Sequence, residues 1–351
     1  MKKYRRAIIF AGGGNRFAVY AGMYAALLEN NLAPDLIIGT CGASLSTVII
    51  SHLIEPIKIK NYFKSKELYN LSKNLKLTDE RKFFKLPFYL LMKFLSLKKD
   101  NYVEDVINRF LIDFPSEIEN LLPNLASEKA EIDSIIIGSK LNFSSKDINR
   151  KINEEKIYRE VIFTNIKSDL NLNKILRTNS YKNSLVDEDL EIVNDLSLIN
   201  ASRISMADMF LMSPVIYKNN YYAGGAIDLL PFEIASLLAK EIFLELKQSY
   251  NFIENSALKL VLGYNGNNRF KEVNSMQASH WIDTSDMPFY FKENYSFLKY
   301  NFFKMELELS SLNYEDYCRD IDSQWEYGYN RVIESMKLEK NFKKHQRIKI
   351  K

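Results

Sequence analysis

Glycine and cysteine are scarce in this chain. Only 12 of the 351 residues are glycine, roughly half the ordinary usage of about 7%. The two cysteines, Cys41 and Cys318, are too few for a disulfide framework. No spacing typical of a metal or cofactor site occurs either, so we expect an enzyme or binding protein that needs no cofactor and no metal.

Long apolar runs are also missing. No run of eighteen apolar residues occurs, so a membrane-spanning helix is not expected. The beginning, MKKYRRAIIF, places basic residues before apolar ones, but the apolar run is too short for a signal peptide. We expect a cytoplasmic protein, with peripheral attachment to a membrane as the open alternative.

The overall composition is that of a globular protein, with 46% apolar and 26% charged residues. The net charge of +4 is unevenly placed, because residues 337–351 hold seven basic residues and one acidic residue. Such a tail could contact anionic lipid, whereas a solvated terminus is the simpler interpretation. No nucleic-acid motif accompanies it, so no nucleic-acid partner is expected.

Seven of the twelve glycines fall in three short stretches, AGGGNR (11–16), GTCG (39–42) and AGGA (223–226). The first stretch follows a strand candidate, AIIF (7–10), and precedes apolar residues at helical spacing. The second follows another strand candidate, DLIIG (35–39), and precedes a helix that is expected to reach Leu53. This β-loop-α-β-turn-α order is typical of a parallel sheet that binds ligands at the carboxyl ends of its strands.

Further strands are predicted at 134–143, 159–165 and 257–266. We expect a main domain over 1–270 with a lid-like helical insertion at 55–130, followed by a helical extension with a basic tail over 271–351. Within the insertion, residues 81–99 carry six basic residues and no acidic one. This segment is either an amphipathic element at a membrane surface or a core helix with lysines at its ends.

The stretch GTCGA (39–43) has the layout of a nucleophile elbow, G-x-S-x-G, in which a strand turns sharply into a helix. Cys41 occupies the central position and Ala43 the closing glycine position. The run Gly12–Gly14, about thirty residues earlier, would let backbone N–H groups converge as an oxyanion hole. A tight turn or a phosphate nest would use the same glycines.

Together these stretches resemble the patatin-like phospholipase family. The block IIFAGGGNRFAVYAGMYAALLENNLAPDLIIGTCGASLS is similar to the family's N-terminal block, and residues 201–235 are similar to its second block. The resemblance covers roughly residues 5–265. It implies a three-layer α/β/α fold with a mostly parallel sheet, and a Ser-Asp dyad that hydrolyses lipid acyl esters.

The sequence departs from the family at the positions that matter for chemistry. The family's serine falls on Cys41, its aspartate on Ala223, and an expected glycine on Phe17. Residues 208–210 replace a segment that usually contains proline and glycine, and Asp208 within it is a secondary candidate for the site. The resemblance carries the oxyanion and binding positions over to Gly12, Gly13, Gly14, Arg16 and Gly42.

Other residues are secondary candidates. Ser44 would be the nucleophile in a shifted register, but it lies three residues into the predicted helix. Asp228 lies five residues beyond Ala223, the position of the family's aspartate, and a structural role is its simpler interpretation. His52 and His280 are candidate bases, although isolated histidines are more often structural.

Three functions stay open at this point. In the first, Cys41 forms a thioester with an acyl lipid or acyl thioester, because a helix N-terminus lowers a thiol pKa and yields thiolate without a base. In the second, the chain is a pseudoenzyme that binds an acyl lipid or a protein. In the third, it is an interaction subunit of a larger assembly.

Overall fold

The computed structural model describes residues 3–96, 102–167, 172 and 181–349. Residues 97–99 of the basic segment and residues 350–351 of the basic tail lie outside the described residues. The strands are β1 (Tyr4–Ala11), β2 (Leu36–Thr40), β3 (Lys76–Leu77), β4 (Ile112–Asp113), β5 (Asp133–Leu141), β6 (Tyr158–Thr164), β7 (Glu191–Val193), β8 (Val215–Tyr217), β9 (Asn220–Ala223), β10 (Ala239–Leu246), β11 (His280–Asp283), β12 (Leu298–Asn301) and β13 (Glu306–Leu309).

The helices surround these strands. They are α1 (Phe17–Glu29), α2 (Ala43–Leu53), α3 (Pro56–Phe63), α4 (Lys66–Lys73), α5 (Leu86–Ser96), α6 (Pro123–Ala126), α7 (Leu198–Met206), α8 (Phe232–Leu238), α9 (Phe252–Leu262), α10 (Gly266–Asn274), α11 (Met287–Phe291) and α12 (Tyr314–Lys349). None of the described helices is both long and apolar enough to cross a bilayer.

The main sheet has the strand order β11-β10-β1-β2-β5-β6-β7, with the β8–β9 hairpin attached to β5. The five strands from β11 to β5 run parallel, whereas β6 and β9 pair with β5 in the antiparallel direction. Alternate residues of each strand enter two separate cores. In β1, Ile8 and Phe10 pack in a core with α1, α2, α7 and α12, and Ala7 and Ile9 pack in a core with α8, α9 and α10. The predicted three-layer α/β/α fold is confirmed.

The prediction of a strand at 257–266 is wrong. That stretch forms the end of α9, a turn and the start of α10. Asn251 begins α9 with a capping box to Glu254, and Gly263 ends it in the left-handed conformation. The strand next to β1 is instead β10, at Ala239–Leu246.

The helical extension is joined closely to the main domain. The sheet continues past residue 270, since β11 pairs with β10. Helix α12 crosses α1 at two glycines, where a Cβ on Gly22 would lie 2.0 Å from the Trp325 carbonyl oxygen and one on Gly328 would lie 1.9 Å from that of Val19. The two helix backbones are therefore in direct contact, which fixes α12 against the helix that follows the glycine loop.

Candidate active site

The parallel order of the sheet brings three chain segments together at one edge. Ala11 pairs with Thr40, so the loop after β1 and the turn after β2 begin side by side. Strand β10 lies on the other side of β1, which places the residue after it, Lys247, beside the same loop. These are the carboxyl ends of parallel strands, where ligands bind in open α/β sheets.

Cys41 forms the turn between β2 and α2 with a φ of 48°, a value that is unusual for a residue other than glycine. The turn is tight because the glycines on either side of Cys41 leave no room for a Cβ. A Cβ on Gly42 would lie 2.1 Å from the Gly14 carbonyl oxygen, and one on Gly39 would lie 2.2 Å from the Thr47 hydroxyl. The backbone therefore has the strained strand-to-helix geometry of a nucleophile elbow.

A carboxylate contacts the Cys41 side chain. The thiol donates a hydrogen bond of 2.8 Å to Oδ2 of Asp208, and Oδ1 of Asp208 accepts one of 3.1 Å from the Ala226 N–H. The backbone of Cys41 is also held, because its N–H donates to the Ser205 hydroxyl at 2.9 Å. Asp208 thus lies where a base for the thiol is required, although the motif comparison placed the family's aspartate at Ala223.

The glycines of the stretch AGGA explain how Asp208 reaches this position. A Cβ on Gly224 would lie 2.1 Å from Oδ1 of Asp208, and one on Gly225 would lie 2.7 Å from the Cys41 nitrogen. Ala223 itself is buried at the end of β9, paired with Ser139 of β5. The glycine pair leaves the space that the Cys41–Asp208 contact occupies.

The protonation of this pair differs from the expectation based on the helix N-terminus. Burial raises the pKa of the Cys41 thiol well above its ordinary value, and the Asp208 charge raises it further. Burial also raises the pKa of Asp208 to about 6, against the opposing effect of its hydrogen bonds from Cys41 and Ala226. The predicted lowering of the thiol pKa is wrong, since desolvation and the carboxylate outweigh the helix. The resting pair at neutral pH is a thiol and a carboxylate.

The glycine loop is held in place by a partly buried lysine, Lys247. Gly12 and Gly14 both have a φ of 59°, in the left-handed region. The Lys247 ammonium donates to the carbonyls of Ala11 and Gly12, the latter at 3.1 Å. Because the C=O and N–H of a trans peptide point in opposite directions, the Gly13 N–H points away from Lys247.

Lys247 and its neighbour Glu245 were missed by sequence reasoning. Glu245 is almost fully buried and accepts hydrogen bonds from the Ala11 N–H and the Thr284 hydroxyl, both at 3.0 Å. Burial lowers the pKa of Lys247. A signal was present, because two charged residues at the end of the apolar stretch EIFLELK mark a strand end that faces a polar site.

Arg16 and Phe17 connect the loop to its surroundings. Arg16 donates to the Tyr295 carbonyl and stacks on the Tyr295 ring at 3.9 Å, so it is held by the extension. Phe17 begins α1 and stacks on Phe63 with ring centroids 5.8 Å apart. It therefore forms part of the wall beside the glycine loop.

The remaining candidates lie away from the thiol. The Ser44 hydroxyl donates to the Cys41 carbonyl at 2.5 Å and is fully buried. Asp228 pairs with Arg269 at 3.2 Å, and His280 stacks on Phe243 with ring centroids 4.3 Å apart. His52 lies in the last turn of α2 with Nδ1 2.7 Å from the Val48 carbonyl oxygen. None of these contacts involves the Cys41 side chain.

A cavity of about 280 Å³ opens above Cys41. Three parts of the chain supply its mostly apolar wall: the main domain, helix α4 and the extension. The apolar residues that line the cavity include Phe17, Leu45, Leu68, Leu71, Met206, Leu211, Met212, Phe297, Leu309 and Ile321. Gly14 and Gly42 lie at its base beside Cys41. A mostly apolar cavity that is also lined by a thiol and two glycines suits an extended apolar chain with one polar end.

The sequence model of one family, described as patatin-like phospholipase, matches residues 8–236. The resemblance inferred from the motifs is thereby confirmed. A search of curated proteins by sequence found no match. Among solved structures, VipD from Legionella pneumophila is similar at 10% identity and a TM-score of 0.32, over 95% of this chain and 67% of the other.

Proposed function

Because the chain belongs to the patatin-like phospholipase family, we propose that it is an acyl hydrolase or acyltransferase in which Cys41 is the nucleophile and Asp208 the general base. The observation that carries the proposal is the 2.8 Å hydrogen bond from the thiol to the carboxylate. A base at hydrogen-bond distance with a pKa of about 6 is ionised at neutral pH and is close to the optimum for proton transfer.

The first half-reaction forms a thioester. Asp208 takes the thiol proton while the sulfur attacks the carbonyl carbon of an acyl ester. The proton transfer is uphill, because the thiol pKa lies well above that of Asp208, so it accompanies bond formation rather than preceding it. The protonated Asp208 then gives its proton to the leaving alcohol oxygen as the ester bond breaks.

The oxyanion of each tetrahedral intermediate would bind at the base of the cavity. The Gly42 N–H directly follows the nucleophile, and the loop Gly12–Gly14 lies against it. Such preorganised donors are each worth roughly a hundred- to a thousand-fold in rate. Lys247 positions the loop through its carbonyls and does not contact the reacting atoms.

The second half-reaction cleaves the thioester and regenerates the free thiol. A water or an acceptor alcohol loses a proton to Asp208 and attacks the thioester, and the thiolate leaves and recovers the proton. Hydrolysis and acyl transfer differ only in which hydroxyl enters. The apolar wall of the cavity supports an acyl lipid as the acyl donor.

One observation favours a second candidate function. Burial and the neighbouring carboxylate keep the thiol protonated, and the thiol donates its hydrogen bond to that carboxylate. Such a pair is also stable as a structural contact, because both polar groups have a hydrogen-bond partner. In a pseudoenzyme of this kind the cavity binds an acyl lipid without reaction.

Intact-mass analysis after incubation with a p-nitrophenyl acyl ester, together with release of p-nitrophenol, separates the two. The enzyme predicts turnover or a mass gain of one acyl group, lost in Cys41→Ala and strongly reduced in Asp208→Asn. Cys318→Ala is the matched control, since Cys318 is also a partly exposed free cysteine and should leave both signals unchanged. No acylation and no turnover by the folded wild type would favour the pseudoenzyme.

A further inference from the structure

The β12–β13 hairpin carries large apolar side chains at its tip that nothing in the described chain covers. Phe302 is 80% exposed, Phe303 is fully exposed, and Met305 is also exposed. Tyr300 packs edge-on against Phe302 with ring centroids 4.9 Å apart, which stiffens the tip. Two adjacent phenylalanines pointing into water are costly unless another phase receives them.

A second exposed apolar surface is joined to the tip. The Phe83 N–H donates to the Met305 carbonyl at 3.0 Å, and Arg81 pairs with Glu306 at 3.1 Å. Phe83 also packs against Phe84 and Phe88. The exposed large apolar side chains of this second surface are Phe84, Phe88, Leu91 and Met92. The hairpin tip and the start of α5 therefore form one surface, which we call the aromatic ridge.

The charges around the aromatic ridge are mostly of one sign. Residues 73–92 and 298–309 hold seven basic and four acidic side chains. Lys82 is paired with Asp79 and Lys304 with Glu308, so the surface keeps a net positive charge. The exposed lysines of the same ranges are Lys73, Lys76, Lys82, Lys85, Lys299 and Lys304. Aromatic side chains surrounded by lysines are the chemistry that binds an anionic lipid surface, because the rings enter the interface and the ammonium groups meet the headgroups.

The ridge is also continuous with the cavity above Cys41. Leu309, at the other end of β13, lines that cavity, as do Lys73 and Leu75 on the neighbouring segment. Phe303 precedes Leu309 by six residues, so at about 3.3 Å per residue of extended chain the two lie at most roughly 20 Å apart. A lipid surface at the ridge would therefore lie within the reach of one acyl chain.

We propose that the aromatic ridge docks this protein on an anionic phospholipid bilayer, with Phe302 and Phe303 inserted among the headgroups. The inference goes beyond the proposed chemistry and does not require Cys41 to react.

Sedimentation of the full chain with vesicles tests it, using phosphatidylcholine alone and phosphatidylcholine with phosphatidylserine. The wild type should bind the anionic vesicles more tightly, by roughly fivefold for each lysine that reaches the surface, and the difference should shrink at high salt. The double variant Phe302→Ser/Phe303→Ser should lose about tenfold or more in partitioning, since burial of a phenylalanine shifts an equilibrium by at least that factor. Phe289→Ser, at a phenylalanine of α11 that is 74% exposed, should bind as the wild type does.

A second variant tests the same surface by a signal that appears on binding, so the test does not depend only on a loss of binding. Phe303→Trp should show a blue-shifted emission and quenching by brominated phospholipid when vesicles are added. Cys41→Ala should bind vesicles normally, so failure of docking and failure of the proposed chemistry are distinguishable. Equal vesicle binding by the wild type and the double variant would overturn the proposal. So would a concentration-dependent dimer that the double variant abolishes while neither protein binds vesicles, because the ridge would then meet a second copy.

Discussion

Replacing Asp208 by asparagine should stabilise the fold while it removes acylation activity. The reason is the raised pKa of about 6 against an ordinary 3.8. A group whose folded pKa is raised costs the folded state free energy whenever it is ionised. The cost is fully present above about pH 6 and is lost as the pH falls through 6 towards 3.8.

The magnitude can be worked out from the shift. About two units correspond to about 3 kcal/mol at pH 8, and the same linkage leaves about 0.5 kcal/mol at pH 4. A chain of 351 residues unfolds with an entropy of about 0.7 kcal/mol/K, so we expect the Tm of Asp208→Asn to rise by about 4 °C at pH 8 and by less than about 1 °C at pH 4. Asparagine keeps an oxygen for the Ala226 N–H, while its NH2 group replaces Oδ2 opposite the thiol, so the substitution removes the charge and the acceptor of the thiol hydrogen bond.

Differential scanning calorimetry at the two pH values, with turnover of a p-nitrophenyl ester in parallel, provides the assay. Loss of the general base should lower kcat by about a hundred- to ten-thousand-fold, and the wild-type rate should fall below about pH 6 as Asp208 is protonated. Asp228→Asn is the control of opposite sign, because it removes a carboxylate that pairs with buried Arg269 and should destabilise at pH 8. A lower Tm for Asp208→Asn at both pH values would refute the reasoning, since the hydrogen bonds of Asp208 would then outweigh its desolvation.

Three further outcomes are expected from the same geometry. Cys41→Ser should retain measurable esterase turnover, because Asp208 stays in place as the base; a wholly inactive folded variant would mean that the site depends on sulfur. Lys247→Met should lower kcat by about tenfold or more with little change in KM, since the Ala11 and Gly12 carbonyls lose their donor and removing one oxyanion donor outright costs about a hundred-fold. Gly224→Ala should reduce activity as Asp208→Asn does, because its Cβ would displace Oδ1; normal kinetics would show that the carboxylate has room to move.

The sequence predicted the elbow and the glycine loop because their geometry is set by local residues. Glycine at positive φ, or at a close backbone contact, can be recognised from its rarity and spacing, as at Gly12, Gly14 and Gly42. The strands β1 and β2 were recognised for a similar reason, as short apolar runs before those glycines.

The contact between Cys41 and Asp208 was only half predictable. Asp208 lies 167 residues from Cys41, in a segment that departs from the family pattern, so its contact with the thiol depends on tertiary packing. The thiol pKa was predicted in the wrong direction for the same reason, because the local helix was visible, whereas the burial of the thiol and the distant carboxylate were not. The helix at Phe252–Leu262, in contrast, could have been found from its capping box at Asn251 and Glu254.

Different parts of the chain supply the cavity wall, and this has an evolutionary consequence. The family match ends at residue 236, whereas much of the cavity wall comes from residues 297–324. Relatives that share residues 8–236 can thus differ in the ligand that they prefer by changing only their C-terminal segment. A chimaera that exchanges the extension would transfer that preference only if the incoming helix has a residue without a side chain at the position of Gly328, because α1 accepts no Cβ there.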